Sequence, residues 1–193
     1  MDESVVRGMA KWPNVPAVFG WMTLDMRGRW LLKGRAVDHP QSVAFINNNY
    51  GCDEQGRWFF QNGPQRVFLE LAYTPWIYRL DSTHVLFTHT GLAATRPKSV
   101  WLDEDGLVLL VTEHGPGLLR DQDLPLILEH FTNASGEALD VDAMEEALTN
   151  ELPENTLFFS LQGEIIPISS IQRAEAPSKL GYQKHPRPDS QTK

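Results

Sequence analysis

A single cysteine, Cys52, stands among 193 residues. No intrachain disulfide can therefore form, and no cysteine-based zinc site can be assembled. Asp53 follows it, and a neighbouring negative charge raises a thiol pKa and works against a nucleophilic role. No apolar run approaches the roughly 20 residues that a membrane helix requires. The opening Met-Asp-Glu-Ser-Val-Val lacks the basic region and apolar core of a signal peptide, so a cytoplasmic location is the expectation. There is no Gly-x-Ser-x-Gly elbow, no phosphate-binding glycine loop and no dinucleotide fingerprint. The histidines at 39, 84, 89, 114, 130 and 185 form no His-x-x-x-His pair, and neither metal nor cofactor is expected. Basic charge is scarce as well, with 17 Lys and Arg against 25 Asp and Glu. The segment from Arg173 onward is +3, which leaves −11 on the rest of the chain. A body of that sign repels phosphate backbones and argues against nucleic-acid partners.

Aromatic residues, by contrast, are plentiful. Six Trp, nine Phe and four Tyr within a 41% apolar composition exclude a disordered chain and supply a core for one medium domain or two small halves. A turn motif punctuates them: Asp25 with Gly28, Asp53 with Gly56, and Asp103 with Gly106. Asp can fold its side chain onto backbone N–H groups, and Gly supplies the positive φ that a tight turn demands. Each acid delivers the chain into an apolar strand, and a second glycine (Gly34, Gly63, Gly115) follows.

Along the chain, Pro13 and Pro16 predict an extended opening. Residues 21–24 and 29–33 flank the first turn as a hairpin. Asp38-His39-Pro40 starts a helix that ends at Gly51, with Val43, Ile46 and Tyr50 on its apolar face. Residues 57–60 and 65–72 form a second hairpin, and residues 76–80 and 84–90 alternate as a third. Past the third turn, residues 107–112 form a strand, and helices are expected over 121–131 and from Asp140 or Asp142 through Leu148. A last hairpin turns at Gln162-Gly163. It matches the Lys33-Gly34 hairpin in pattern, so the plan reads as hairpin–helix–hairpin stated twice, over 24–72 and 102–168.

Two stretches are richer than a scaffold requires. The first holds Gln61, Asn62, Gln65, Arg66, Tyr73 and Trp76, and such amides, guanidinium and aromatic faces suit a polar small-molecule or peptide pocket. The plainer reading places the aromatics in the core and the amides in a turn. The second holds His89, Glu113 and His114, where a carboxylate beside an imidazole could perform acid–base work near neutral pH. Neighbours on a strand point to opposite faces, however, so Glu113 and His114 need not meet. Arg29 and Arg57 alternate with Trp30 and Trp58, which reads as arginines outside and tryptophans inside.

Residues Lys11-Trp-Pro-Asn-Val-Pro16, Gly20-Trp21, Gly28-Arg-Trp30, Phe59-Phe-Gln-Asn-Gly-Pro-Gln-Arg66 and Tyr73-Thr-Pro-Trp76 resemble an uncharacterised proteobacterial family of about this length. The resemblance covers residues 11–130 and is weaker beyond. More remotely, the layout is similar to another bacterial family of unknown function. That likeness implies a mixed α+β fold with repeated motifs and a signalling or regulatory role. Neither family supplies catalytic residues to carry over.

The expectation is therefore an α+β protein of two similar halves, each a small antiparallel sheet carrying helix. An extended segment (1–20) precedes the first half (21–98) and the second (99–173), and a flexible tail (174–193) follows. The leading function is a non-catalytic binding or regulatory module for a small molecule or protein partner, acting through Gln61, Asn62, Gln65, Arg66, Tyr73 and Trp76. The rivals are an acid–base enzyme such as a hydrolase using His89, Glu113 and His114, and a structural homodimer with no membrane contact.

Overall fold

Asp25 accepts the backbone N–H groups of Arg27 and Arg29 at 2.9 and 2.8 Å on one carboxylate oxygen, while Gly28 closes the turn at φ +80. Asp53 does the same for Gln55 and Arg57, and Asp103 for Asp105 and Leu107. Two further turns share this construction. Asp81 receives Thr83 and Val85 with His84 in the left-handed position, and Asn133 receives Ser135 and Glu137 with Gly136 there. In all five the side chain satisfies backbone donors that the bend would otherwise strand.

The computed structural model describes residues 3–11, 15–139 and 157–188. They fall into two compact units, Met1–Pro75 with Pro177–Lys193, and Trp76–Ala176. The first unit runs α1 (Glu3–Lys11), β1 (Val18–Leu24), β2 (Trp30–Leu32), β3 (Arg35–Ala36), α2 (Pro40–Asn48), β4 (Tyr50–Cys52), β5 (Trp58–Asn62) and β6 (Gln65–Leu71). Its sheet is ordered β3-β2-β1-β6-β5-β4, and the central pair β1 and β6 is parallel. Lys33 and Gly34, both at positive φ, make the tight reversal between β2 and β3. Leu24, Leu69, Leu71 and Tyr73 are essentially fully buried, with Trp30, Trp58 and Phe68 around them. Each such side chain contributes about 1.5–3 kcal/mol relative to exposure.

The second unit carries β7 (Trp76–Leu80), β8 (Leu86–Thr88), β9 (Ala93–Ala94), β10 (Ser99–Asp103), β11 (Val108–Val111) and β12 (Pro116–Leu119). A 3-10 turn (Asp121–Asp123), α3 (Leu124–Leu128), β13 (Phe131–Thr132), β14 (Phe158–Leu161) and β15 (Glu164–Ile171) complete its sheet, and α4 (Ala176–Lys179) follows. The order is β13-β14-β15-β10-β11-β12-β7-β8-β9, with β10–β15 and β12–β7 parallel. Gly117 lies under the Tyr78 ring, where a Cβ would come within 2.4 Å of it. Tyr78 is thereby free to bond Thr112 and the Gly115 carbonyl.

The α+β expectation is overturned. The chain is mostly β, and its described helices are nine, nine, five and four residues long. The spacing over 121–131 suggested one long helix, but Phe131 leaves it to pair with Phe159 across β13 and β14. The internal repeat fails too. One sheet has six strands and the other nine, and the same side-chain-built turn appears five times without respecting the expected hairpin–helix–hairpin boundaries. What recurs is turn chemistry. The opening segment is helical over Glu3–Lys11 where an extended chain was expected. The helix expected from Asp140 or Asp142 through Leu148 lies outside the described residues. Residues 177–188, expected as a tail, lie against the first unit: Gln183 N–H donates to Gly56 O at 2.8 Å, Leu71 N–H donates to Lys184 O at 2.9 Å, and Tyr182 is buried. No helix among the described residues is long and apolar enough to cross a membrane.

Candidate ligand cleft

The central strand of the first sheet does not run straight. Val18 pairs with Val67 and Met22 with Leu69, so three residues of β1 stand opposite one of β6. Gly20 absorbs the excess at φ +73, a left-handed conformation that favours glycine. The bulge breaks the inside–outside alternation and delivers Trp21 to the surface, 52% exposed, although it sits in a central strand. Lys33 Nζ lies 4.3 Å from the centre of its indole.

Beside this bulge α2 crosses the sheet. His39 ends the preceding extended chain, and Pro40 opens the helix where its missing N–H does no harm. Trp30 Nε1 donates to Asn47 Oδ1 at 2.8 Å, and Phe45 meets Phe60 edge to face at 6.5 Å. Between helix and sheet lies an open cleft of about 500 Å³. Its floor is Met22, Phe60 and Val67, its helical wall Phe45 and Ile46, and its mouth Trp21 and Leu32. Leu32 is 45% exposed, so the mouth shows two large apolar groups to water. Polar side chains stand at the margin: His39, Gln41 and Ser42 at the helix start, Asn62 and Gln65 at the β5–β6 turn.

Of the residues named from the sequence, Asn62 and Gln65 line this cleft, and Gln65 Nε2 also donates to Pro16 O at 3.0 Å. Strand alternation turns Gln61 and Arg66 away from it. Gln61 is 1% exposed; its amide donates to Gly63 O, and its carbonyl oxygen has no hydrogen-bond partner among the described residues. Arg66 lies with its guanidinium 4.7 Å over Phe59 and borders a separate groove with Phe19, Phe68 and Pro188. Tyr73 is core, 1% exposed. Trp76 begins the second unit, so the six do not form one cluster. Sequence reasoning missed Trp21, Leu32 and Phe45. Gly20 before Trp21 was the available signal, since a glycine inside a strand marks a bulge.

Trp76 lies instead with the proposed acid–base set. Its Nε1 donates to His114 O at 2.7 Å, and the rings of His89 and His114 stand 5.4 and 6.0 Å from its own. His89 Nδ1 accepts the Ile77 N–H, which places the proton of the neutral ring on Nε2. His114 Nε2 donates to Ala93 O, and Glu113 Oε1 lies 3.7 Å from that nitrogen. Glu113 accepts both the backbone N–H and the hydroxyl of Thr95, at 2.7 and 2.9 Å. Partial burial pushes its carboxyl up, but these bonds and the His114 charge outweigh it and hold the group below the usual range. A carboxylate held in that way is a weak general base.

Cys52 is exposed, and its thiol is raised first by partial burial and then by the Asp53 charge. Among the described residues no three His, Cys, Asp or Glu side chains converge as a metal site.

A family model described as "Protein of unknown function (DUF2946)", DUF2944, matches residues 1–187. A DUF1285 family protein from Silicibacter pomeroyi DSS-3 shares the fold, with a TM-score of 0.53 at 14% identity over 80% of this chain and 82% of that one. A DUF1285 family protein from Shewanella baltica OS155 aligns at a TM-score of 0.37 and 16% identity, over 53% of this chain and 85% of that one. No curated protein matches. The remote likeness expected to a second family of unknown function is thus present at the level of fold.

Proposed function

The chain belongs to this DUF2944 family, and from the geometry of its first unit we propose that it is a non-catalytic binding module whose ligand enters the cleft beside α2. The observation that carries the reading is the bulge at Gly20. It forces a tryptophan out of a central strand and sets it at the mouth of an apolar hollow. Trp21 and Leu32 are each about half exposed, so they forgo roughly half of the 1.5–3 kcal/mol that full burial of such a side chain gives, and a ligand that covers them recovers it. The volume falls in the range of small-molecule sites, and the lining has their usual character, apolar with a few polar groups at the edge. His39, Gln41, Ser42 and Asn62 make no side-chain hydrogen bond within the described protein, which leaves their donors and acceptors for the ligand. Among the described residues the lining carries no carboxylate and no guanidinium, and the cation beside it is the Lys33 ammonium over Trp21 at the mouth, so the matching ligand is a largely apolar molecule without positive charge, with hydrogen-bonding groups at one end.

The test titrates the protein with 1-anilinonaphthalene and, in parallel, examines it by native mass spectrometry after purification from its host. Saturable uptake of one probe per chain is expected. Ser42→Trp, which fills the cleft from the helix side, should weaken uptake at least tenfold, while Ala44→Trp on the exposed side of the helix should not. Equal uptake by both variants would reject the cleft as the site.

A further inference from the structure

In the second unit two imidazoles from distant segments meet. His84 Nδ1 lies 2.8 Å from His130 Nε2, and both side chains are half-buried. The other ring nitrogen of His130 donates to the Ser160 carbonyl. A carbonyl can only accept, so in the neutral ring His130 Nε2 carries a lone pair and His84 Nδ1 carries the shared proton. The Phe159 ring stands 5.5 Å from that of His130 and closes one side. Burial foremost, and the His84 ring besides, hold His130 below the ordinary imidazole value despite the Ser160 bond, which acts the other way.

The backbone at His84 is the second observation. It occupies the left-handed position of the Asp81 turn at φ 57, and the equivalent position of the other four turns is Gly28, Gly56, Gly106 or Gly136. A side chain there costs about 1 kcal/mol that glycine avoids. What the strained position achieves is to aim the His84 ring at His130. Orientation of an imidazole by a backbone carbonyl on its far nitrogen is also the usual support of a metal-ligating histidine.

We propose that His84 Nδ1 and His130 Nε2 bind one divalent ion of the zinc or copper class. On binding, His84 exchanges its Nδ1 proton for one on Nε2, so the neutral pair loses no net proton. The two nitrogens open from 2.8 Å to about 3.3 Å, the separation set by two Zn–N bonds near 2.05 Å at the tetrahedral angle. Imidazole donors select zinc, copper and nickel over magnesium or calcium. No third protein ligand converges among the described residues, so water or an exogenous anion fills the remaining positions. The Glu129 charge, which acts on His130, favours the cation.

The full chain, freed of metal with a chelator, is titrated with Zn²⁺ against a chromophoric competitor and with Cu²⁺ by electron paramagnetic resonance. One ion per chain and hyperfine coupling to two nitrogens are expected. His84→Asn suits the left-handed backbone and should weaken binding at least tenfold, as should His130→Gln. His114→Asn and His185→Asn should leave it within twofold. Nitrogen-15 spectra of the unaltered protein give a readout independent of any variant's folding: Zn²⁺ must shift His84 Nδ1 and His130 Nε2. Absence of saturable uptake, uptake that persists when His84→Asn and His130→Gln are combined, or shifts confined to other histidines would overturn the proposal.

Discussion

Gly56 lies so close beneath Gly181 that a Cβ on it would sit 2.6 Å from the Gly181 carbonyl oxygen. That contact, with the Gln183 N–H donating to Gly56 O, fastens residues 181–183 onto the Asp53 turn. Gly56→Ala must therefore meet both a backbone clash and a left-handed φ of +74. Gly34 has a similar φ of +79 but open space around it. We expect Gly34→Ala to cost about 1 kcal/mol and Gly56→Ala about 3 kcal/mol or more, as read by urea denaturation. Equal losses would mean that the 181–183 contact contributes nothing.

Asp123 is a buried carboxylate whose oxygens receive the Leu80 N–H at 3.0 Å and Arg120 Nη2 at 2.6 Å. Asp123→Ala leaves an amide and a guanidinium without that acceptor inside the second unit. A loss of about 2–4 kcal/mol is expected in thermal or chemical unfolding. A loss below about 0.5 kcal/mol would show that water replaces the carboxylate.

Acid should weaken the fold through its turns. Burial raises Asp53, but the Arg57 side-chain bond and the Arg57 and Gln55 N–H groups outweigh it, so its net shift is downward. Asp81, through the Thr83 hydroxyl and backbone bonds, and Glu113 are lowered too. A carboxyl with a folded pKa below its unfolded one stabilises above the unfolded value and loses that contribution as pH falls through the folded value. Stability should thus be flat from about pH 7 to 5 on this account and decline below about pH 4. Asp53→Asn should lose about 1–2 kcal/mol at pH 7 and much less at pH 2.5. The same loss at both values would contradict the assignment.

Trp21 and Trp30 separate binding from folding. Trp30 is 2% exposed and bonded to Asn47, so Trp30→Ala should cost about 3–5 kcal/mol. Trp21→Ala should cost under about 1 kcal/mol, because the indole is already half in water. Its probe affinity should nonetheless fall about tenfold. If stability fell and binding did not, Trp21 would be a structural residue.

Local features were legible in the sequence because they are made by neighbours. Asp25, Asp53 and Asp103 announced their turns through residues three positions away, and Pro40 marked the start of α2. The pairing of β1 with β6 was not legible, since Met22 and Leu69 meet across the whole first unit and parallel strands leave no hairpin signal. The helices were over-read because apolar spacing alone does not say when a strand partner such as Phe159 will claim Phe131. Part of the cleft was in view as Asn62 and Gln65. Its mouth was not, because Trp21 looks like core until the bulge at Gly20 turns it outward. Trp76 shows the converse, since its nearness in sequence to Tyr73 said nothing about its bond to His114.

The return of residues 177–188 to the first unit sets an order of assembly. The described strands of both units are present once Ile171 is made, but the first unit lacks its bonds to Gly56 O and from the Leu71 N–H until the chain has passed Lys184. The part synthesised first is therefore the part finished last.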